Sequence, residues 1–267
     1  MFLPKKILVA SICSCLAVNI VSALPFTFFT SSVQAQSRRV RYNPPSNLNA
    51  PTVSASGITR SSGCAYACLI ALMPDLKQEN NPIPQTISER PTIYFLTPEF
   101  NGSVQFILYE DNVVPLKPNA ESGLPASSKK QIYEKSFAIN NSAGIIAMKM
   151  PDDSPILEVG KNYTWKFTVK GKTIEEYKVI QGKMRRVLPT KNLVAQLPAI
   201  SKPLERAVLF AQEGIWFEAV QALADAQLTV PTNTEALEEW TSLLKSAKLD
   251  RVLPFTFVTQ NLNPRKL

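Results

Sequence analysis

The sequence contains no histidine. That removes the commonest general base, the Ser-His and Cys-His nucleophile pairs, and the usual nitrogen ligands of catalytic zinc. A carboxylate-pair enzyme or a Ser-Lys enzyme stays open, but no recognisable motif for either is present. Beyond residue 35 no stretch is long and apolar enough to span a bilayer. No basic strand rich in aromatics of the kind single-strand binders use is present, which argues against a nucleic-acid partner. No Cys-x-x-Cys occurs, so the usual redox spacing is absent too.

The first 35 residues have the order of an export signal. Lys5 and Lys6 give a positive start and Ile7 to Ala23 is mostly apolar. Val33-Gln34-Ala35 places small residues where a signal peptidase reads them, so cleavage is expected before Gln36. Asn19 and Pro25 interrupt the apolar run, which favours a cleaved signal over an anchor. Ile12-Cys13-Ser14-Cys15 only faintly resembles a lipid-attachment box, because the apolar stretch before it is too short. The expected location is therefore periplasmic or extracellular.

The chain carries a formal charge of +8, of which Lys5 and Lys6 supply two, leaving +6 after cleavage. Arg38, Arg39 and Arg41 form one basic cluster, and Lys183, Arg185 and Arg186 a second. The second is the candidate for binding an anionic envelope polymer; the plain alternative is a solvated face. Glu158, Glu205, Glu213 and Glu218 are the scattered carboxylates a hydrolase would draw on, and they are more simply read as solvated.

Texture divides the chain into four segments. Residues 1–35 are the signal. Residues 36–89, rich in Ser, Asn, Pro and Arg, predict an extended or disordered lead-in with a short apolar segment at 64–74. Residues 90–188 alternate with period two in six or seven short runs, among them Val104, Phe106 and Leu108, and Tyr163, Trp165 and Phe167. Turn residues such as Asn101-Gly102 and Pro151-Asp152-Asp153 punctuate them, which predicts an antiparallel, immunoglobulin-like β-sandwich. After Pro189 the period becomes 3.6, and residues 189–267 predict a small all-α domain ending in an apolar arm. The fold class is thus α+β. Trp165 is expected in a β-core and Trp216 in a separate helical one, with Trp240 on the buried side of a third helix capped by Thr232 or Thr234.

Within the helical segment, Ala207, Phe210, Gly214, Ala219, Leu223, Ala226 and Pro231 fall where a tetratricopeptide-type hairpin wants them. Small residues let two helices approach, glycine allows the turn, and proline stops the second helix. Such repeats need about three copies to stand alone, and one unit is visible, so packing on the β-part is an alternative to peptide binding.

After cleavage Cys64 and Cys68 are the remaining cysteines. An oxidising compartment favours a disulfide between them, although their spacing is awkward in a regular helix. Free thiols, or redox or metal use, stay open. Two thiols without histidine make a poor zinc site, and no cofactor is expected.

Several blocks stand out together: Arg90 to Pro98; Gly144-Ile145-Ile146; Leu157 to Lys161 with Tyr163, Trp165 and Phe167; Gly182 with Arg185, Arg186 and Val187; Arg206-Ala207 with Phe210-Ala211; Gly214 to Ala219; and Trp240 with Leu243-Leu244. Taken together they resemble one family, an exported and mainly cyanobacterial group known as domain of unknown function 928. The likeness runs from about Cys64 to Val258. It implies the fold and the compartment but no reaction. Members of that family tend to carry a cysteine just after the Trp165 strand, where this chain has Lys170. A long-range bridge from Cys64 is then ruled out, and the local pair remains. The expected function is a non-enzymatic binding or scaffolding protein, partnered by another envelope or surface protein or by an anionic polymer.

Overall fold

A computed structural model describes residues 39–45, 69–75, 82–113, 127–170, 178–258 and 263–264. Cys64 and Cys68 lie outside the described residues. In chain order the strands are β1 (Ile70–Ala71), β2 (Gln85–Thr86), β3 (Thr92–Thr97), β4 (Phe100–Val113), β5 (Ser127–Asn141), β6 (Gly144–Lys149), β7 (Asn162–Lys170) and β8 (Lys178–Arg186). The helices α1 (Lys191–Gln196), α2 (Pro203–Gln212), α3 (Trp216–Thr229) and α4 (Thr234–Ser246) come next, and β9 (Asn263–Pro264) closes the series. The class is α+β. No helix among the described residues is long and apolar enough to cross a membrane.

Two sheets form, one ordered β1-β3-β6 and the other β2-β8-β7-β4-β5-β9. Neighbours are antiparallel except β2 and β8, which run parallel. Alternation explains the longer strands. On β7, Tyr163, Trp165, Phe167 and Val169 all point into the core. Phe95 of β3 stacks on Phe167 at 4.2 Å between ring centroids and meets Trp165 edge-on at 5.5 Å. These contacts join the two sheets.

All six residues of β3 are buried. Because successive side chains take opposite faces, this requires cover on both sides. Phe95 faces β7. Tyr94, on the other face, meets Phe257 edge-on at 6.1 Å, and Phe257 packs on Trp240 of α4 at 5.0 Å. The small sheet therefore lies between the large sheet and the helices. A strand covered on both faces reads as a continuous apolar run rather than an alternating one, as Ile93-Tyr94-Phe95-Leu96 does.

The strands up to β8 end at Arg186 and the helices begin at Lys191. The two expected cores are instead one. Trp165, Trp216 and Trp240 belong to a single apolar cluster, and residues 38–267 form one compact unit. The cause is the doubly covered β3, together with the Trp216 indole, whose Nε1 donates to the Leu72 carbonyl at 2.9 Å.

Local chemistry sets the helix ends. Pro203 opens α2 in the first turn, where its missing N–H costs nothing. Gly214, at φ +74°, closes it; Ile215 N–H donates to Phe210 O at 2.9 Å and Gly214 N–H to Ala211 O at 3.3 Å, a Schellman pair. Asn233, not Thr232 or Thr234, caps α4, accepting from Ala236 N–H at 3.2 Å. An asparagine is at least as good a cap as threonine.

The C-terminal arm docks on strand edges. Ile145 N–H donates to Thr256 O at 2.8 Å and Val258 N–H to Ile145 O at 2.9 Å, while β9 pairs with β5 at Phe137 and Ala138. One tail thus covers an edge of each sheet, which blunts edge-to-edge association.

Gly182 of β8 lies opposite Trp165. A Cβ there would stand 2.2 Å from Trp165 Cζ2. Gly182→Ala is therefore expected to force the buried indole aside and destabilise the protein by about 1–3 kcal/mol, read as a lower midpoint in urea with an unchanged slope.

Candidate functional site

Within the lead-in, expected to be extended or disordered, residues 39–45 form an extended arm seated against α2, α3 and α4. The arm has period two. Val40 and Tyr42 are buried, while Arg39, Arg41 and Asn43 are exposed. Each successive contact is specific. Val40 N–H donates to Glu239 Oε2 at 2.5 Å, and the Arg39 guanidinium reaches Glu238 Oε2 at 2.7 Å and Glu239 Oε1 at 3.4 Å. Tyr42 N–H donates to Ser246 Oγ at 3.0 Å, and that hydroxyl donates in turn to Leu243 O at 2.7 Å. Asn43 donates from its backbone to Ala211 O at 3.0 Å and from its side chain to Gln212 O at 3.3 Å. It thereby adds a second donor to the Ala211 carbonyl, which already accepts from Gly214 N–H, and supplies one to the Gln212 carbonyl at the end of α2.

The groove has an apolar floor. The Tyr42 ring meets Trp216 edge-on at 4.9 Å between centroids. Burial pushes the Tyr42 hydroxyl above its ordinary range, so it stays protonated. Gly214 helps to make room, since a Cβ there would stand 3.0 Å from Asn43 O and 3.1 Å from Pro45 Cδ.

Glu239 is the residue that distinguishes this groove from a simple apolar seam. It is 2% exposed. A buried carboxylate is costly unless it is hydrogen-bonded and paired, and the arm supplies both a backbone N–H and a guanidinium. Sequence reasoning missed it, because Leu237, which is exposed, fits the helical spacing of Trp240, Leu243, Leu244 and Ala247, and Glu239 reads as an acid of the first turns. The signal that could have found it is the set Ala236, Glu239, Trp240, Leu243 and Leu244 on one buried face.

Glu218 was expected to be solvated and is not. It lies in the first turn of α3, and its Oε1 accepts from Thr86 Oγ1 at 2.6 Å, Ile87 N–H at 3.0 Å and Ser88 N–H at 2.9 Å. Its Oε2 is buried with no hydrogen-bond partner among the described residues. Burial raises its pKa, with the three hydrogen bonds working against that rise. The group ties α3 to the corner after β2.

The other candidate carboxylates are held apart on separate surface contacts. Glu158 pairs with Lys161 at 2.8 Å and Glu205 with Lys202 at 3.3 Å. Glu213 accepts from Thr190 at 2.7 Å and Asn192 at 2.6 Å. Among the described residues no cluster of three or more possible ligands is placed to hold a metal ion.

The basic trio of β8 is divided by strand alternation. Lys183 and Arg185 share one face and Arg186 takes the other, beside buried Met184. Lys183 lies 4.0 Å from Asp111, and Arg185 donates to Asn162 at 3.1 Å. Arg186 donates to the Leu157 carbonyl and pairs with Glu89 at 3.2 Å.

No curated protein matches this chain. Among solved structures, Spo0M, a sporulation control protein from Bacillus subtilis, is similar at 12% identity over 51% of this chain and 55% of its own, with a TM-score of 0.26. The chain spans about half the length of that protein, and so slight a likeness carries neither fold nor function across. The family comparison is broader. A family model matches residues 55–256, nearly all of the two sheets and the helices, and the chain belongs to that family, the Domain of Unknown Function DUF928.

Proposed function

We propose that this protein is an exported, non-enzymatic binding or scaffolding module of the periplasm or cell surface, and that its helical groove binds extended chain segments. The observation that carries this reading is the seating of Arg39–Asn43. An extended segment lies on three helices with its amides, its apolar side chains and its arginine each met by a different group. Main-chain hydrogen bonds with pockets for alternate side chains are the usual physics of peptide capture. We take the sheets as an immunoglobulin-like sandwich and the α2–α3 pair as a tetratricopeptide-type hairpin that presents the groove.

The hydrolase alternative has less support, because the buried carboxylate Glu218 is already engaged by the 86–88 corner. The polymer-binding alternative has less as well, because Lys183, Arg185 and Arg186 face two sides and have protein partners.

A direct test uses the full chain with Val40→Asp, which sets a carboxylate against Glu239 and releases the arm. A labelled peptide of residues 37–45 is expected to bind this variant saturably, and to lose at least tenfold in affinity when its own valine and tyrosine are replaced by aspartate. Absence of saturable binding to a folded Val40→Asp chain contradicts the reading. Export is tested separately by terminal sequencing of protein recovered from cells, where the first residue is expected to be Gln36.

A further inference from the structure

We infer that the groove of α2, α3 and α4 is also an interface between copies of this chain, in which Arg39–Asn43 of a second copy takes the place of the chain's own arm. The inference rests on the binding reading above and goes one step beyond it, to the identity of a partner.

The hydrogen bonds and ring contact described for the arm all go to the helical part, through Glu238, Glu239, Ser246, Ala211, Gln212 and Trp216. None of them holds it to either sheet. The arm's directional contacts thus converge on one surface, and the chain beyond Pro45 leads on to β1. Between Pro45 and Leu69 the sequence has 23 residues, 46–68. At ~3.3–3.6 Å per residue such a length reaches at most about 80 Å, enough to leave the arm in its own groove or to carry it to a neighbour's.

The charges favour a like copy over an arbitrary peptide. The arm region carries Arg38, Arg39 and Arg41 within four positions, and the groove offers Glu238 and the buried Glu239. Every copy carries one arm and one groove, so each exchange satisfies both. Withdrawal of the arm without replacement takes the Val40 N–H and the Arg39 guanidinium away from a buried carboxylate. A second copy's arm restores both contacts, along with the Tyr42–Trp216 contact. Exchange of an identical element is a low-cost route to association for this reason.

The chain's own arm competes through its tether. Covalent attachment of arm to groove can give an effective concentration on the order of millimolar, so exchange is expected to dominate only where copies are crowded to a similar level, and to be reversed by dilution.

The test pairs two full-length variants. Val40→Asp has a defective arm and an intact groove; Glu239→Lys has an intact arm and a groove that repels Arg39. Each alone is expected to be monomeric by native mass spectrometry, and a mixture is expected to give a one-to-one heterodimer that excess 37–45 peptide dissociates. A mixture that stays monomeric while both variants give native circular dichroism overturns the inference. If the peptide nevertheless binds Val40→Asp, the binding reading stands and only the second copy is excluded. If the peptide fails as well, both fall. Should Glu239→Lys not fold, the unmodified chain decides. Light scattering from about micromolar to about millimolar is expected to show a reversible rise toward the mass of two copies, abolished by Val40→Asp. A constant monomer mass across that range overturns the inference.

Discussion

Replacement of Trp216 by alanine is expected to destabilise the protein by about 3–5 kcal/mol and to melt strand and helix signals in one transition. The magnitude follows from near-complete burial of the indole at 1% exposure and from the loss of its bond to the Leu72 carbonyl. The single transition follows from packing. Trp216 lies in the same apolar cluster as Phe95, Trp165 and Trp240, and β3 cannot keep both faces covered once α3 leaves. Thermal unfolding followed by far-ultraviolet circular dichroism and by limited proteolysis checks this. A Trp216→Ala protein that loses helix while residues 90–188 keep their strand signal and protease resistance would show two independent cores. The same substitution removes the partner of the Tyr42 ring, so the arm is expected to become protease-sensitive under conditions where the sheets are still folded.

Glu218 provides the second large effect, and here alanine and glutamine are expected to differ sharply. Glu218→Ala leaves Thr86 Oγ1 and two backbone N–H groups without their acceptor. Leaving buried polar groups unsatisfied costs about 1–3 kcal/mol each, and some relaxation is expected, so a total of about 2–4 kcal/mol is anticipated. Glu218→Gln keeps an oxygen acceptor at the same place and removes a charge that burial disfavours, so it is expected to lie within about 1 kcal/mol of the unmodified protein. The pH dependence has a definite sign. Burial raises the folded-state pKa above its ordinary 4.5, so the native protein holds this proton more tightly than the unfolded chain. The contribution is fully present below 4.5 and is lost as pH rises through the raised value. The melting temperature of Glu218→Gln minus that of the unmodified protein is therefore expected to grow more positive from acid toward neutral pH. A pH-independent difference, or Glu218→Ala as stable as Glu218→Gln, would contradict this account of the carboxylate.

Why some of this was legible in the sequence and some was not comes down to how many residues carry a period. The segments around Val104-Phe106-Leu108 and Tyr163-Trp165-Phe167 alternate over seven or more residues, so β4 and β7 announce themselves. The α2–α3 hairpin is equally plain, since Gly214 and Pro203 mark its turn and its start. β1 and β2 have two residues each, too few to show a period, and they exist because β3 and β8 offer them an edge. The single core was hidden because a strand covered by a sheet and one covered by a helix both read as apolar. The arm was hidden by composition. Arginine, asparagine and proline around it suggest a leader, and only Val40 and Tyr42, two apart, carry the signal of a seated strand. Glu239 would have been the stronger clue, a carboxylate on the buried side of an amphipathic helix that needs a donor from somewhere. Glu218 gave no comparable sign, because Thr86, Ile87 and Ser88 lie more than 120 positions away along the chain.

The most direct measurement of the central claim is amide hydrogen exchange at the arm of the full chain. Val40, Tyr42 and Asn43 donate their N–H groups to Glu239, Ser246 and Ala211, whereas the side chain of Arg41 faces solvent between them. An arm seated in the helical groove predicts that these three amides exchange at least tenfold more slowly than free peptide, and that Val40→Asp abolishes the protection at Tyr42 and Asn43 while the sheets stay protected. Exchange of all three at the free-peptide rate in the unmodified chain would contradict the groove and the function proposed for it.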